Sequence, residues 1–135
     1  MRVLALLFFA TLICGQDAPP VSTKATVYFY RERDQYKAAK IPVFMDEQQV
    51  AGLVNGRFFS AQIDAGRHVF RSKTKLDALV LVLQPGNEYF LRAEVVQASM
   101  WKNAQRITQI GNDQGPSVIL RLKPEDPKHI VASLR

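Results

Sequence analysis

The sequence predicts an all-β fold, an antiparallel β-sandwich of about seven to nine strands with a short C-terminal helix. Three observations predict it. Between Ile41 and Ser72 the apolar residues recur at every second position in short runs. The runs break at Asp46-Glu47, Asn55-Gly56 and Asp64-Ala65-Gly66, residue types suited to tight turns. No apolar stripe at i, i+3, i+4 passes through these breaks, which argues against an amphipathic helix.

Met1 to Gln16 reads as a secretory signal. Arg2 supplies a minimal basic start, and Val3 to Ile13 is an apolar run too short to span a bilayer. Cleavage before Gln16 would release a soluble chain, periplasmic or extracellular. Lipidation of Cys14 would anchor it to a membrane, although Thr11 and Ile13 depart from a lipoprotein signal. Asp17 to Lys24 (DAPPVSTK) is a linker, since two prolines among small polar residues cannot pack a core. A single domain then runs from Ala25 to Arg135.

Ala25 to Arg31 is a strand with Val27 and Phe29 on one face, Tyr28 and Tyr30 on the other, and therefore central or covered on both sides. A charged loop follows to Lys40. Ile41, Val43 and Met45 share a face in the next strand. Phe59, Ala61 and Ile63 share another, as do His68 and Phe70. Ser72 to Asp77 is a polar loop. Ala78 to Leu83 is a continuous apolar run, which predicts a strand buried on both faces. Gln84-Pro85-Gly86-Asn87 has the residues of a type II turn. Glu88 to Ala98 returns as a long strand with Tyr89, Leu91, Ala93 and Val95 inward.

Trp101 falls in a polar connection. It either folds back over the sandwich edge or stands out as a stacking platform for a sugar ring or an interface anchor. Arg106–Ile110 and Ser117–Leu122 are expected to pair as a hairpin across the turn Gly111 to Pro116, with Val118, Leu120 and Leu122 inward. Asp126 as N-cap and Pro127 at the first helical position predict the C-terminal helix, its apolar face formed by Ile130, Val131 and Leu134.

The segments VYFYR, PVFMDEQQVAGLVNGRFFSAQIDAGRH and LQPGNEYFLRAEV resemble the family catalogued as domain of unknown function 2846, over about Ala25 to Val96. More loosely they are similar to PEGA-type surface modules. The chain departs at Ala65, where that family more often carries proline, and the turn glycine is retained. The resemblance implies a small bacterial extracytoplasmic β-sandwich, with a packing role at His68 and no catalytic residues to carry over.

Composition narrows the function. The net charge is +6, and the basic residues are spread along the chain. Such a balance suits anionic surfaces and carries no concentrated tail. The single cysteine, Cys14, lies in the leader, so no disulfide framework is available to the mature chain. His68 and His129 lie in different elements without further ligands at metal spacing. No nucleophile elbow, phosphate loop or dinucleotide fingerprint is present. The expectation is a non-catalytic module without cofactor, metal or nucleic-acid partner. Two functions remain. One is an envelope-associated module for protein interaction or a structural role. The other binds anionic glycans or lipid headgroups through a rim of Arg31, Arg33, Tyr36, Lys73, Lys75 and Trp101. Convergence of those side chains separates the two. Oligomeric state is not legible.

Overall fold

The computed structural model describes residues 23–36, 39–74 and 77–135. The expected signal, most of the linker, Cys14 and Lys75 lie outside the described residues. Among the described residues, nine strands form two sheets. They are β1 (Lys24–Tyr30), β2 (Ile41–Met45), β3 (Gln48–Leu53), β4 (Arg57–Asp64), β5 (Gly66–Arg71), β6 (Leu79–Leu83), β7 (Glu88–Ser99), β8 (Lys102–Ile110) and β9 (Lys123–Pro124). A five-stranded sheet runs β8-β7-β1-β4-β9, and a four-stranded sheet runs β3-β2-β5-β6. Most neighbours are antiparallel. The departures are β1 with β7 and β4 with β9, which are parallel.

The core lies between the sheets. Val27, Phe29, Phe59, Ala61, Ile63, Leu91 and Ala93 come from one sheet, and Ile41, Val43, Leu53, Phe70 and Leu83 from the other. Phe29 stacks on Phe59 at 4.8 Å between centroids and tilts against Phe70 at 5.8 Å. The faces assigned by alternation in β1, β2, β4 and β7 are those observed.

Two of the turns differ from each other in backbone geometry. At Asp46-Glu47 both residues take positive φ, 51° and 68°. At Asn55-Gly56 only the glycine does. Asn55 is held by the neighbouring loop instead, accepting from Asp34 N at 2.9 Å and donating to Asp34 O at 2.9 Å.

Gly66, which opens β5, has φ +119°, and a Cβ built there meets nothing within 4 Å. The strain on any other residue is therefore backbone strain alone. Gly66→Val is expected to cost about 1–3 kcal/mol, and Gly66→Ala nearly as much because side-chain size is irrelevant in open space. Urea melts test this. Midpoints equal to the wild type would show that the turn does not restrain the strands around it.

Three expectations are corrected. Ala78 to Leu83 is not buried on both faces. It forms the edge strand β6, with Val80 and Val82 48% and 59% exposed. An unbroken apolar run looks the same whether a strand is covered on both faces or ends a sheet. Ser117 to Leu122 is not a strand. Helix α1 (Gly115–Ile119) occupies its start, and Leu120 is exposed. Pro116, lacking an N–H, suits a first helical turn and not a ladder. The hairpin partner of β8 is β7.

The C-terminal helix is replaced by 3₁₀ turns at Pro127–His129 and Ala132–Leu134. Asp126 does cap the first, accepting from Lys128 N at 3.0 Å. Ile130 leaves helical geometry, at φ −118° and ψ 136°, to bridge Ala51, and Val131 N donates to Val50 O at 2.8 Å. The open edge of β3 thus offers hydrogen bonds that displace the helical ones.

Candidate functional site

Strand directions gather the described parts of the charged loop (31–36 and 39–40), the Asn55-Gly56 turn, the described ends of the β5–β6 connection and the β7–β8 tip at one end of the sandwich. Arg31 organises this end and does not belong to its rim. It is fully buried. Its guanidinium donates to both carboxylate oxygens of Asp34 at 3.0 and 3.1 Å, to Tyr36 O at 2.7 Å, to Leu53 O at 3.4 Å and to Ala39 O. Such a fork satisfies several loop carbonyls at once and leaves no donor for a ligand. One residue earlier in the chain, burial pushes the Tyr30 phenol up to about 12; Arg92 opposes the rise, and Glu32 and Glu94 add to it.

The other nominated residues divide. Arg33 is exposed and lines a small cleft with Glu32, Val118, Arg121 and Leu122. Tyr36 and Lys73 come together across a cavity of about 350 Å³, with Thr74, Val95, Lys102 and Gln105. Trp101 does not fold back. It stands 92% exposed at the β7–β8 tip beside Met100, 78% exposed.

Lys73 also lines a second cleft, of about 320 Å³, with Lys40, Pro42, Phe44, Gln49 and Gly52. Lys40, Gln49 and Gly52 in turn line a third, of about 510 Å³, with Lys128, His129 and Arg135. The shared residues join the three into one track carrying Arg135, Lys128, Lys40, Lys73 and Lys102. Lys128 is paired with Asp126 at 3.3 Å. His129 Nδ1 lies 2.7 Å from Glu125 Oε1, whose other oxygen accepts from Val54 N at 2.8 Å. Sequence reasoning missed Lys40, Lys102, Lys128 and Arg135. They are far apart in the chain, and only the fold makes them neighbours.

At the opposite end, His68 Nδ1 is 2.6 Å from Asp46 Oδ2 and Nε2 is 2.6 Å from Asp64 O. Burial alone would lower the His68 pKa. The Asp46 hydrogen bond and the Asp64 carbonyl outweigh it, and the net shift is upward. Burial likewise opposes the change at Asp46, where hydrogen bonds from Val69 N and His68 bring a net lowering. The raised histidine stabilises the fold below its unfolded pKa and loses that contribution as pH rises through its folded value. The lowered aspartate contributes above its unfolded pKa and loses its contribution as pH falls through its folded value. The pair therefore works best between about pH 4 and 6.5. The loss in stability caused by His68→Leu is expected to be largest in that window and to shrink in alkali. A loss independent of pH in urea melts would refute it.

Among the described residues no three His, Cys, Asp or Glu side chains gather as a metal site would need. No helix among them is long and apolar enough to cross a membrane. No curated protein and no solved structure matches the chain. A family model does match, over residues 22–104, a span that takes in β1 to β7 with the buried Arg31 and the turns at Asp46-Glu47, Gly66 and Pro85-Gly86. On that match the chain belongs to the family of proteins of unknown function designated DUF2846.

Proposed function

We propose that this protein is an exported, envelope-associated, non-catalytic β-sandwich module that binds a linear anionic ligand, of the acidic-glycan or lipid-headgroup class. One observation carries the reading: three clefts joined by shared residues line up Arg135, Lys128, Lys40, Lys73 and Lys102. Spaced cations along a groove fit spaced anions on a chain, and the gain falls with salt because exposed charges are screened. Tyr36 and Phe44 line the same track, and the Phe44 ring carries the Arg71 guanidinium on one face at 4.2 Å.

Titration calorimetry with a polyuronate oligosaccharide, and co-sedimentation with phosphatidylglycerol-containing vesicles, separate the two ligand sources. Lys40→Glu with Lys73→Glu is expected to weaken the productive one by about tenfold or more at low salt. Binding of neither probe, or binding indifferent to the double variant, would defeat the reading.

A second reading, a protein-interaction module, is favoured by the exposed Met100-Trp101 tip, since exposed tryptophan is a frequent interface anchor. Trp101→Ala is expected to change stability by less than about 0.5 kcal/mol, because so little of the ring is buried. Capture of an envelope protein by the wild type and its loss with Trp101→Ala would favour this reading over the first.

A further inference from the structure

Each sheet ends in two edges, and an edge strand offers unpaired backbone groups to any strand that approaches. Three of the four edges here are blunted. β3 is bridged by Ile130 and bonded by Val131. β9 is two residues long and contains Pro124. β8 carries Lys102 and Arg106 among polar residues. β6 has none of these devices. Its sequence is Leu79-Val80-Leu81-Val82-Leu83, without a charge, a proline or a bulge, and among the described residues it pairs only with β5.

That sequence reads the same in both directions. Antiparallel pairing of two copies about a two-fold axis at Leu81 sets Leu79 opposite Leu83, Val80 opposite Val82, and Leu81 opposite itself. Directly opposed residues share a face. Leu83 is buried and Leu79 and Leu81 pack partly against the core, so the leucines of both copies extend the inner face. The exposed valines meet on the outer face. A slip of one residue would set leucine against valine and turn one strand's leucines outward, so the palindrome is satisfied only in this register. Self-complementarity of this kind is what an isologous contact requires.

Charge does not oppose the contact. Arg67 is the outer-face charge opposite Val82, and it lies on β5, one strand in from the edge. The two copies of β5 would stand three strand spacings apart, about 14 Å, beyond the screening length at physiological salt.

We propose that β6 is a homodimerisation edge, joining two four-stranded sheets into one continuous eight-stranded sheet. Five paired residues make a contact about 17 Å long, small beside a standard interface, so the dimer is weak and concentration-dependent. The inference does not depend on the anionic-ligand reading, whose clefts are lined by no residue of β6.

Sedimentation velocity of the purified chain over a concentration series tests it, with two double variants at exposed positions. Val80→Lys with Val82→Lys places like charges opposite each other across the axis, and Val80→Lys with Val82→Glu places opposite ones. The expected result is a wild type that dimerises on concentration, a double-lysine variant that stays monomeric where the wild type is half dimeric, and a lysine–glutamate variant that dimerises again. Hydrogen exchange of the wild type supplies a readout without substitution: amides of Leu79–Leu83 should exchange more slowly as the protein is concentrated. A wild type that is monomeric throughout would overturn the proposal. So would a dimer indifferent to the double lysine, or a lysine–glutamate variant as monomeric as the double lysine.

Discussion

Arg31→Ala is expected to lower the unfolding free energy by about 3–5 kcal/mol, the largest loss from any single charged side chain here. The guanidinium is fully buried at the end of β1 and holds Asp34 together with the carbonyls of Tyr36, Ala39 and Leu53. Truncation leaves a part-buried carboxylate and several carbonyls without their donor. Asp34 is also an acceptor for Tyr36 N at 2.7 Å and is linked through its backbone to Asn55, so the loss spreads across two connections. Arg31→Lys should recover only part of it, since an ammonium cannot reproduce a planar fork. Arg33→Ala, an exposed neighbour, is the control. A urea midpoint for Arg31→Ala no lower than that of Arg33→Ala would refute the structural role assigned to Arg31.

Gly115→Val is expected to cost about 3 kcal/mol. Helix α1 crosses the outer face of the five-stranded sheet with Gly115 laid on Phe90. A Cβ there would fall 2.2 Å from Phe90 Cγ and 2.5 Å from Cδ1. Phe90 is 2% exposed and stacks on Tyr28 at 4.8 Å with planes 6° apart, so the ring has nowhere to retreat. Gly111→Val is the comparison. Its Cβ meets the carboxylate of exposed Asp113, which can swing away, and its cost should be smaller. Combining Gly115→Val with Phe90→Ala should cost less than the two losses added together, because each relieves the other's fault. Strict additivity in a double-mutant cycle would mean that the glycine is not there for the ring.

Alternation of apolar residues, together with turn residues, was enough by itself to establish the β class and the faces of β1, β2, β4 and β7. Those features are local: a side chain points to one face or the other by parity, and turn residues such as Gly66 and Pro85-Gly86 act through their own backbone angles. The motifs of the same stretch also pointed to the family that the chain belongs to. Tertiary structure decided the rest. Whether Leu79–Leu83 is covered on both faces or ends a sheet depends on which strand stops beside it, and parity carries no such information. Ser117–Leu122 carries strand-like alternation, yet Pro116 and the need to cross the outer face to reach β9 make its start a helix. Ile130 abandoned its helical pattern because the edge of β3 supplied hydrogen bonds the helix could not match. Arg31 looked like a surface cation among four successive charges, and its own burial, with its guanidinium turned to the carbonyls of Tyr36 and Ala39, made it an internal brace. The cationic track joins residues from Lys40 to Arg135, brought together only because two sheets and a returning C-terminal segment pack where long-range contacts, and not neighbours in sequence, set the distance.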